Sequence, residues 1–518
     1  MSRFFNTTGP CSPERHYMLP AHERLVGASL DRYIKNQLYW VLHAPRQTGK
    51  TTFLQSWMRQ INSSGEGIAC YVSVERCQGF PAAGDAIPAV CRAIVEFAGK
   101  ELLPKFVPEY QAMEPGSQLS AMLTAWSAQV APLPLIILFD EVDTLQDQAM
   151  ISFLRQLRSG FAARSVGKFP VSVALVGMRD LRDYLIQSKD GVALNPGSPF
   201  NIKESSATLS NFSMNDVERL LAQHTAETGQ KFMPDAVKLV YDLTCGQPWL
   251  VNALCKKCAW ELVPEETRQT VTAEHIMQAK ELLIKDRAVH LDSLAERLKD
   301  PRVKRIVEAI MVGKNDPTMA EGNDFVLCLD LGLVAIIDGV PQIANPIYRE
   351  IIVRVLSQGM QYAIPLPEWR WQKDDGSLDF DALFTEFQAF WRRNSEAWES
   401  KMDYVEAFPH LLVMAFLQRV INGGGRIERE YAAGRGRVDL AVEWHGIWAV
   451  IEIKLVHPQD SLEITIEEGL KQTARYRDKV AAQEAWLIVF DRREKSRNLP
   501  WEQRLSMRTS DGIKIVTC

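Results

Sequence analysis

The stretch YWVLHAPRQTGKTTF, residues 39–53, sets the fold. It opens with a short apolar run suited to a buried strand, and it ends in residues suited to a helix. Between them, Ala44-Pro45-Arg46-Gln47-Thr48-Gly49-Lys50-Thr51 fits the phosphate-loop pattern, with Ala44 where the first glycine usually stands. The chemistry needs these residue types in this order. Backbone N–H groups at a helix start form a concave anion site. Gly49 lets the backbone pass close to phosphates, and Lys50 reaches the β- and γ-phosphates. The Thr51 hydroxyl, followed by Thr52, takes a Mg2+ position. A chance loop containing Gly-Lys-Thr is the plain alternative. The strand before, the helix after and a matching acid strand downstream argue against it.

That acid strand is PLIILFDEVD, residues 134–143. A buried parallel strand delivers its last residues to the edge where ligands bind in such sheets. Asp140 would hold Mg2+, directly or through water, and Glu141 would polarise the attacking water. A third strand, VSVALVGMRD, ends in Arg179 and Asp180, where Arg179 would sense the γ-phosphate or form a structural salt bridge. Arg155 and Arg158, in FLRQLRSG, are candidate arginine fingers, and two solvated helix arginines are the plainer reading.

Strand candidates Leu38–His43, Ile68–Val74, Leu133–Asp140 and Val171–Gly177 alternate with helical stretches, which predicts an α/β core with a parallel sheet over residues 1–205. Residues 206–290 read as a helical lid, with Ser213 and Asp216 at capping-box spacing and a second helix over DAVKLVYDLT, residues 235–244. Residues 291–362 read as a winged-helix-like module in which FVLCLDLGLVAIIDGVPQIAN forms a hairpin. The stretch IPLPEWRWQKDDG marks a linker, and residues 363–403 join it to the helix FDALFTEFQAFWRRNSEAW, whose aromatics have core spacing. Residues 404–518 form the last domain. No internal repeat and no low-complexity tract stands out.

APRQTGKTT, LFDEVD, LVGMRD and TCGQPWLVNAL (residues 244–254) together resemble the AAA-like ATPases of bacteria, relatives of the STAND and archaeal-type P-loop ATPases. The resemblance extends through HLDSLAERLKDPRV and NPIYREII, over about residues 15–356. It implies ATP with Mg2+ as cofactors, and it places Gly246-Gln247-Pro248 at the start of a lid helix that reports nucleotide state. A finger acting in trans would imply a homo-oligomer.

The stretch RVDLAVEWHGIWAVIEIK, residues 437–454, poses a separate question, because both of its apolar strands carry acids. A two-residue turn at His445-Gly446 pairs residues whose numbers sum to 891, so Asp439 faces Glu452. Side chains directly opposite share a face, with Cβ atoms about 5 Å apart, and Lys454 points to the same face. Facing like charges are destabilising unless neutralised. A divalent cation does this, and oxygen ligands suit Mg2+ or Mn2+. A salt-bridge cluster in which Lys454 offsets one acid is the bland alternative. Leu440, Val442, Ile451 and Ile453 bury the other face and pin the register.

Asp-(12 residues)-Glu-x-Lys on a hairpin resembles the PD-(D/E)XK nuclease superfamily over about residues 404–500, with Val438 in place of the proline of the name. Carried over, Asp439 and Glu452 would bind metal, and Lys454 would orient or deprotonate the nucleophilic water. Glu406 takes the position of that family's helix acid and adds a ligand, while Gln472 and Tyr476 match its helix Gln/Tyr pair. Arg426, Arg429, Arg435 and Arg437 precede the Asp strand and either meet phosphates or, interleaved with Glu428 and Glu430, form a solvated mixed-charge face. Trp444 and Trp448 fall on opposite faces of the hairpin, both in packing roles.

Composition bounds these readings. The 518 residues carry a net charge of −5 and are 46% apolar and 24% charged, as in a soluble globular protein of several domains. The longest apolar run found, LLVMAFL at 411–417, is far short of the roughly 18–20 residues that span a bilayer, and the N-terminus has no apolar signal region. No membrane partner is expected. Nine scattered cysteines suit a reducing cytoplasm, and Cys255-x-x-Cys258 on a helix reads as ordinary thiols more readily than as a metal or redox pair. The expectation is an ATP-binding and hydrolysing protein with a metal-dependent nuclease domain, acting on nucleic acid, DNA first, in defence or DNA processing. The rival expectation is a nucleotide-dependent switch or scaffold whose nuclease-like domain binds without cutting.

Overall fold

The computed structural model describes residues 3–27, 30–110, 112–165, 167–178, 203–286, 294, 296–311, 322–352, 355, 371, 373, 375–399, 408–421, 425–433 and 436–518. The chain forms two compact units. One is Met1–Asp292 with Pro317–Ile347, and the other is Ser293–Asp316 with Tyr348–Cys518.

The first unit is built on six strands: β1 (Leu25–Val26), β2 (Tyr39–His43), β3 (Ile68–Ser73), β4 (Leu135–Asp140), β5 (Ser172–Gly177) and β6 (Lys203–Leu209). Their order is β1-β6-β2-β5-β4-β3. All neighbours from β6 to β3 are parallel, and β1 adds antiparallel to β6. The four expected strands are present, each starting within two residues of the expected position. They were readable because a parallel strand buried on both faces is a near-continuous apolar run. β4, LIILFD, is buried along its whole length. Alternate residues feed two cores. Ile137 and Phe139 meet the helices Ala83–Glu101, Gln118–Gln129 and Asp147–Ala162, while Ile136 and Leu138 meet the helix Lys50–Ser64. Each such side chain contributes roughly 1.5–3 kcal/mol by leaving water.

Helices Met214–Thr228, Pro234–Thr244, Pro248–Lys257 and Ala273–Lys285 follow the sheet. The capping box forms as read: the Asp216 N–H donates to Ser213 Oγ at 3.2 Å, and the Ser213 N–H donates to Asp216 Oδ2 at 3.0 Å. The segment leading into the third helix turns at Gly246, with φ of +70°. A Cβ there would lie 1.8 Å from the Phe212 carbonyl oxygen. Gly246→Ala is therefore expected to cost roughly 3 kcal/mol or more, because both the backbone conformation and the space are denied. A lowered thermal midpoint, with the P-loop sheet still folded by circular dichroism, is the check.

Residues 3–20 run between these helices and the P-loop helix. The Arg3 N–H donates to Glu227 Oε1 at 2.7 Å, Trp249 Nε1 donates to the Thr7 carbonyl at 2.9 Å, and the Cys11 N–H donates to Thr52 Oγ1 at 3.0 Å. His224 is buried beneath this strap, with Nε2 3.0 Å from Gln230 Oε1.

The expected hairpin over residues 325–345 starts later than read. Asn323–Asp330 is a helix, and only β7 (Val334–Ile337) and β8 (Val340–Ile343) pair. The apolar run hid helical spacing: Phe325 and Cys328, three residues apart, are both buried, and Gly332 at φ +70° closes the segment. The turn is Asp338-Gly339, with positive φ at both positions.

The second unit carries β9 (Gly425–Ala433), β10 (Gly436–Trp444), β11 (Ile447–Val456), β12 (Glu484–Asp491), β13 (Ser506–Ser510) and β14 (Ile513–Thr517), in the order β13-β14-β12-β11-β10-β9. β9, β10 and β11 are antiparallel, and β12 runs parallel to β11 after the helix Leu462–Val480. That helix covers one face. The helices Phe380–Glu399 and Phe408–Ile421 supply the core on the other, where Phe384, Phe387 and Trp391 are buried. Phe380, Phe384, Phe387, Phe390 and Trp391 of the first of these helices are core residues, as their spacing indicated. Most of the proposed linker lies outside the described residues. No helix among the described residues is long and apolar enough to cross a membrane. All nine cysteines are free, and Cys255 and Cys258 are both buried, their thiols pushed up by burial.

Candidate functional site

The loop after β2 has the shape its residue types require. Gln47 and Gly49 both adopt positive φ, +60° and +95°, and the helix starts at Lys50. These turns leave backbone N–H groups grouped at a helix N-terminus, which is an anion cradle. Lys50 Nζ folds over the loop and donates to the Ala44 and Pro45 carbonyls, at 2.8 and 2.9 Å. Its burial lowers its pKa, and the charges of Asp140 and Glu141 oppose that shift. Thr48 Oγ1 donates to the Pro45 carbonyl, and Arg46 Nε reaches Met178 Sδ at 3.3 Å.

Thr51 and Asp140, 89 residues apart, meet: Thr51 Oγ1 donates to Asp140 Oδ2 at 2.7 Å. Asp140 is 0% exposed, and burial raises its pKa against the hydrogen bond from Thr51 and the charge of Lys50. A hydroxyl and a carboxylate are hard oxygen donors, and beside the lysine they fit a nucleotide-bound Mg2+. Glu141 follows with φ +59°, and its N–H donates to Asp140 Oδ1 at 3.0 Å. Burial, then the charges of Asp140 and Asp143, push its carboxyl up to about 7. A carboxyl near neutrality is suited to accept a proton from water.

Arg24 was not singled out from sequence. It is 7% exposed, and burial pushes it down to about 10. It donates to the Thr48 carbonyl at 2.9 Å and to the Ser210 carbonyl at 2.7 Å, and its guanidinium lies 5.0 Å from the Phe212 ring centroid. Its Nε has no hydrogen-bond partner. Beside it opens a cavity lined by Thr48, Gly49, Phe212, Pro248, Trp249 and Asn252, among others. Asn252 is 7% exposed, and its Nδ2 donates to the Pro248 carbonyl at 2.8 Å. That bond fixes the amide orientation and leaves Oδ1 as the atom without a partner. A lone arginine in AHERLV and an asparagine inside an apolar helix give no sequence signal. Only the fold brings them to the P-loop.

Arg155 and Arg158 are exposed on the helix Asp147–Ala162. Arg179 and Asp180 lie outside the described residues.

In the second unit the turn at His445-Gly446 forms as read, with φ of +50° and +84°. The β10–β11 pairs from Trp444 with Ile447 to Leu440 with Ile451 all sum to 891. The Asp439 side chain, like Glu406 and the side chains of Arg426, Arg429, Arg435 and Arg437, lies outside the described residues. Trp444 joins the core on one face, and Trp448 packs on the other, as expected. Glu452 is 4% exposed, and Lys454 Nζ donates to its Oε1 at 2.8 Å. The helix Leu462–Val480 presses on this pair at Gly469, where a Cβ would lie 2.7 Å from Leu487 Cδ1 and 3.3 Å from Lys454 Cγ. On the same helix Gln472 Oε1 is buried without a hydrogen-bond partner, and Tyr476 is buried with its hydroxyl 3.3 Å from Arg475 Nη2. Among the described residues no group of three or more His, Cys, Asp and Glu is placed to hold a metal ion.

Residues 33–185 match the family model of the AAA domain. This part of the chain is an AAA-type P-loop ATPase domain with a parallel α/β sheet. Among solved structures, a Walker-type ATPase of Pyrococcus abyssi is similar at 15% identity and a TM-score of 0.46, covering 67% of this chain and 99% of that one. Cdc6p from Pyrobaculum aerophilum is similar at 14% identity and a TM-score of 0.35, over 64% and 92%. The RuvB Holliday junction branch migration motor of Thermotoga maritima gives 13% identity and a TM-score of 0.33, over 62% and 91%. No curated protein matches the chain.

Proposed function

We propose that the chain is a Mg2+-dependent ATPase whose nucleotide state regulates a metal-dependent nuclease domain, acting on nucleic acid, DNA first, in defence or DNA processing. The observation that carries the nuclease half is the pairing of buried Glu452 with the partly exposed Lys454, at Glu-x-Lys spacing on one sheet face beneath the helix Leu462–Val480. The register of β10 and β11 supports Asp439 as the facing acid. A divalent ion there, Mg2+ or Mn2+, would supply charge neutralisation and an activated water. Asp439 and Glu452, with Glu406, would hold it, and Lys454 would orient that water. Gln472 and Tyr476 would line the strand being cut.

In the ATPase half, Ala44 to Thr52 would cradle the phosphates, Thr51 and Asp140 would hold Mg2+, Glu141 would act as base and Arg179 would sense the γ-phosphate. The cavity, lined by both Arg24 and Asn252, would suit a ligand with a negative charge near Arg24 and a hydrogen-bond donor near Asn252. An adenine nucleotide offers both. Asn252→Ala is expected to weaken ATP binding about tenfold while changing GTP binding less, since one hydrogen bond to the base amine is lost. Titration with fluorescent ATP and GTP analogues checks this.

Plasmid cleavage with Mg2+ or Mn2+, with and without ATP, tests the whole reading. No cleavage in any nucleotide state, with DNA binding retained, would favour a nucleotide-dependent switch or scaffold. The ion pair in which Lys454 already offsets the buried Glu452 is what supports that second reading.

A further inference from the structure

We propose that Tyr71 is a positioning residue for the nucleotide's Mg2+ site, acting through Asp140. The inference rests on the Mg2+-nucleotide reading of the P-loop. Tyr71 lies on β3, outside both sequence motifs, and is 7% exposed. Its hydroxyl donates to Asp140 Oδ2 at 3.1 Å, the oxygen that also accepts from Thr51 Oγ1 at 2.7 Å. With the Glu141 N–H on Oδ1, the buried carboxylate is gripped by three donors, one from β3, one from the helix Lys50–Ser64 and one from the residue next to it.

The grip suits a metal site. A buried carboxylate with no fixed donors would turn or take up a proton. Lys50 could neutralise it, but its ammonium is on the loop carbonyls and is needed for phosphate. A phenol holds the carboxylate in one rotamer without placing a counter-charge beside it, so its charge stays available to a cation. If the Thr51 oxygen were given to a metal ion, Tyr71 would remain as the side-chain donor on Oδ2.

The ring also packs edge-on against Phe97 at 5.5 Å, a contact that phenylalanine would preserve. Tyr71→Phe therefore isolates the hydroxyl. Binding of a fluorescent ADP analogue, titrated with Mg2+ and repeated in EDTA, is the test. The Mg2+ concentration for half-maximal enhancement is expected to rise about tenfold, with affinity in EDTA and the thermal midpoint nearly unchanged. In a cycle with Asp140→Asn, the double variant is expected to shift no further than Asp140→Asn alone. An unchanged Mg2+ midpoint, an equal loss in EDTA, or additive effects in the cycle would overturn the proposal. Absence of any Mg2+ effect in the unmodified protein would overturn the underlying reading instead.

Discussion

Glu141→Gln is expected to lower ATP turnover about a hundredfold or more, while ATP binding stays within a few fold. The substitution keeps the shape and removes only the ability to take a proton from water. Glu141 is placed for that role, since burial with Asp140 and Asp143 brings its carboxyl to about 7. A second readout follows from linkage. A carboxyl whose folded-state pKa lies above its unfolded value binds more protons in the folded state, so it lowers stability as pH rises through the window between the two. Glutamine has no such penalty. The nucleotide-free variant should therefore melt above the unmodified protein at pH 8, and the gap should close near pH 4. Loss of binding together with turnover would point to a collapsed site and count against Glu141 as the base.

Lys454→Ala is expected to abolish metal-dependent cleavage, by at least about a hundredfold, with ATP turnover intact. The lysine pairs with a carboxylate that is 4% exposed, and removing it leaves that carboxylate without its charge partner. Some loss of stability in the second unit is therefore expected as well. Lys454→Arg separates the effects, because it keeps a cation beside Glu452 but cannot give up a proton. An arginine variant that folds normally and does not cut supports lysine chemistry. One that cuts as well as the unmodified protein reduces Lys454 to a structural counter-ion.

Sequence and structure agree where local chemistry dictates geometry. β4 was legible because buried parallel strands are apolar throughout, and the P-loop because its glycine and lysine have few other uses in that order. The β10–β11 register was legible because His445-Gly446 accepts positive φ, and one turn then fixes every later pair. Residues 325–330 were read as strand because the apolar run Phe325–Leu329 hides whether its period is two or about 3.6. Tyr71, Arg24 and Asn252 were invisible for another reason. Each is unremarkable in its own segment, and each gains meaning from an atom far along the chain: Asp140 for Tyr71, Thr48 and Ser210 for Arg24, and the P-loop cavity for Asn252.

The N-terminal strap bears on biosynthesis. Thr7 finds its hydrogen-bonding partners at Trp249 and Lys256, and Arg3 finds its own at Glu227. A ribosome delivers these ends in order, so the leading segment must wait, unpaired, while more than two hundred further residues emerge. The cavity beside the P-loop, which this segment lines through Asn6, Thr7 and Cys11, cannot close on a nascent chain before then.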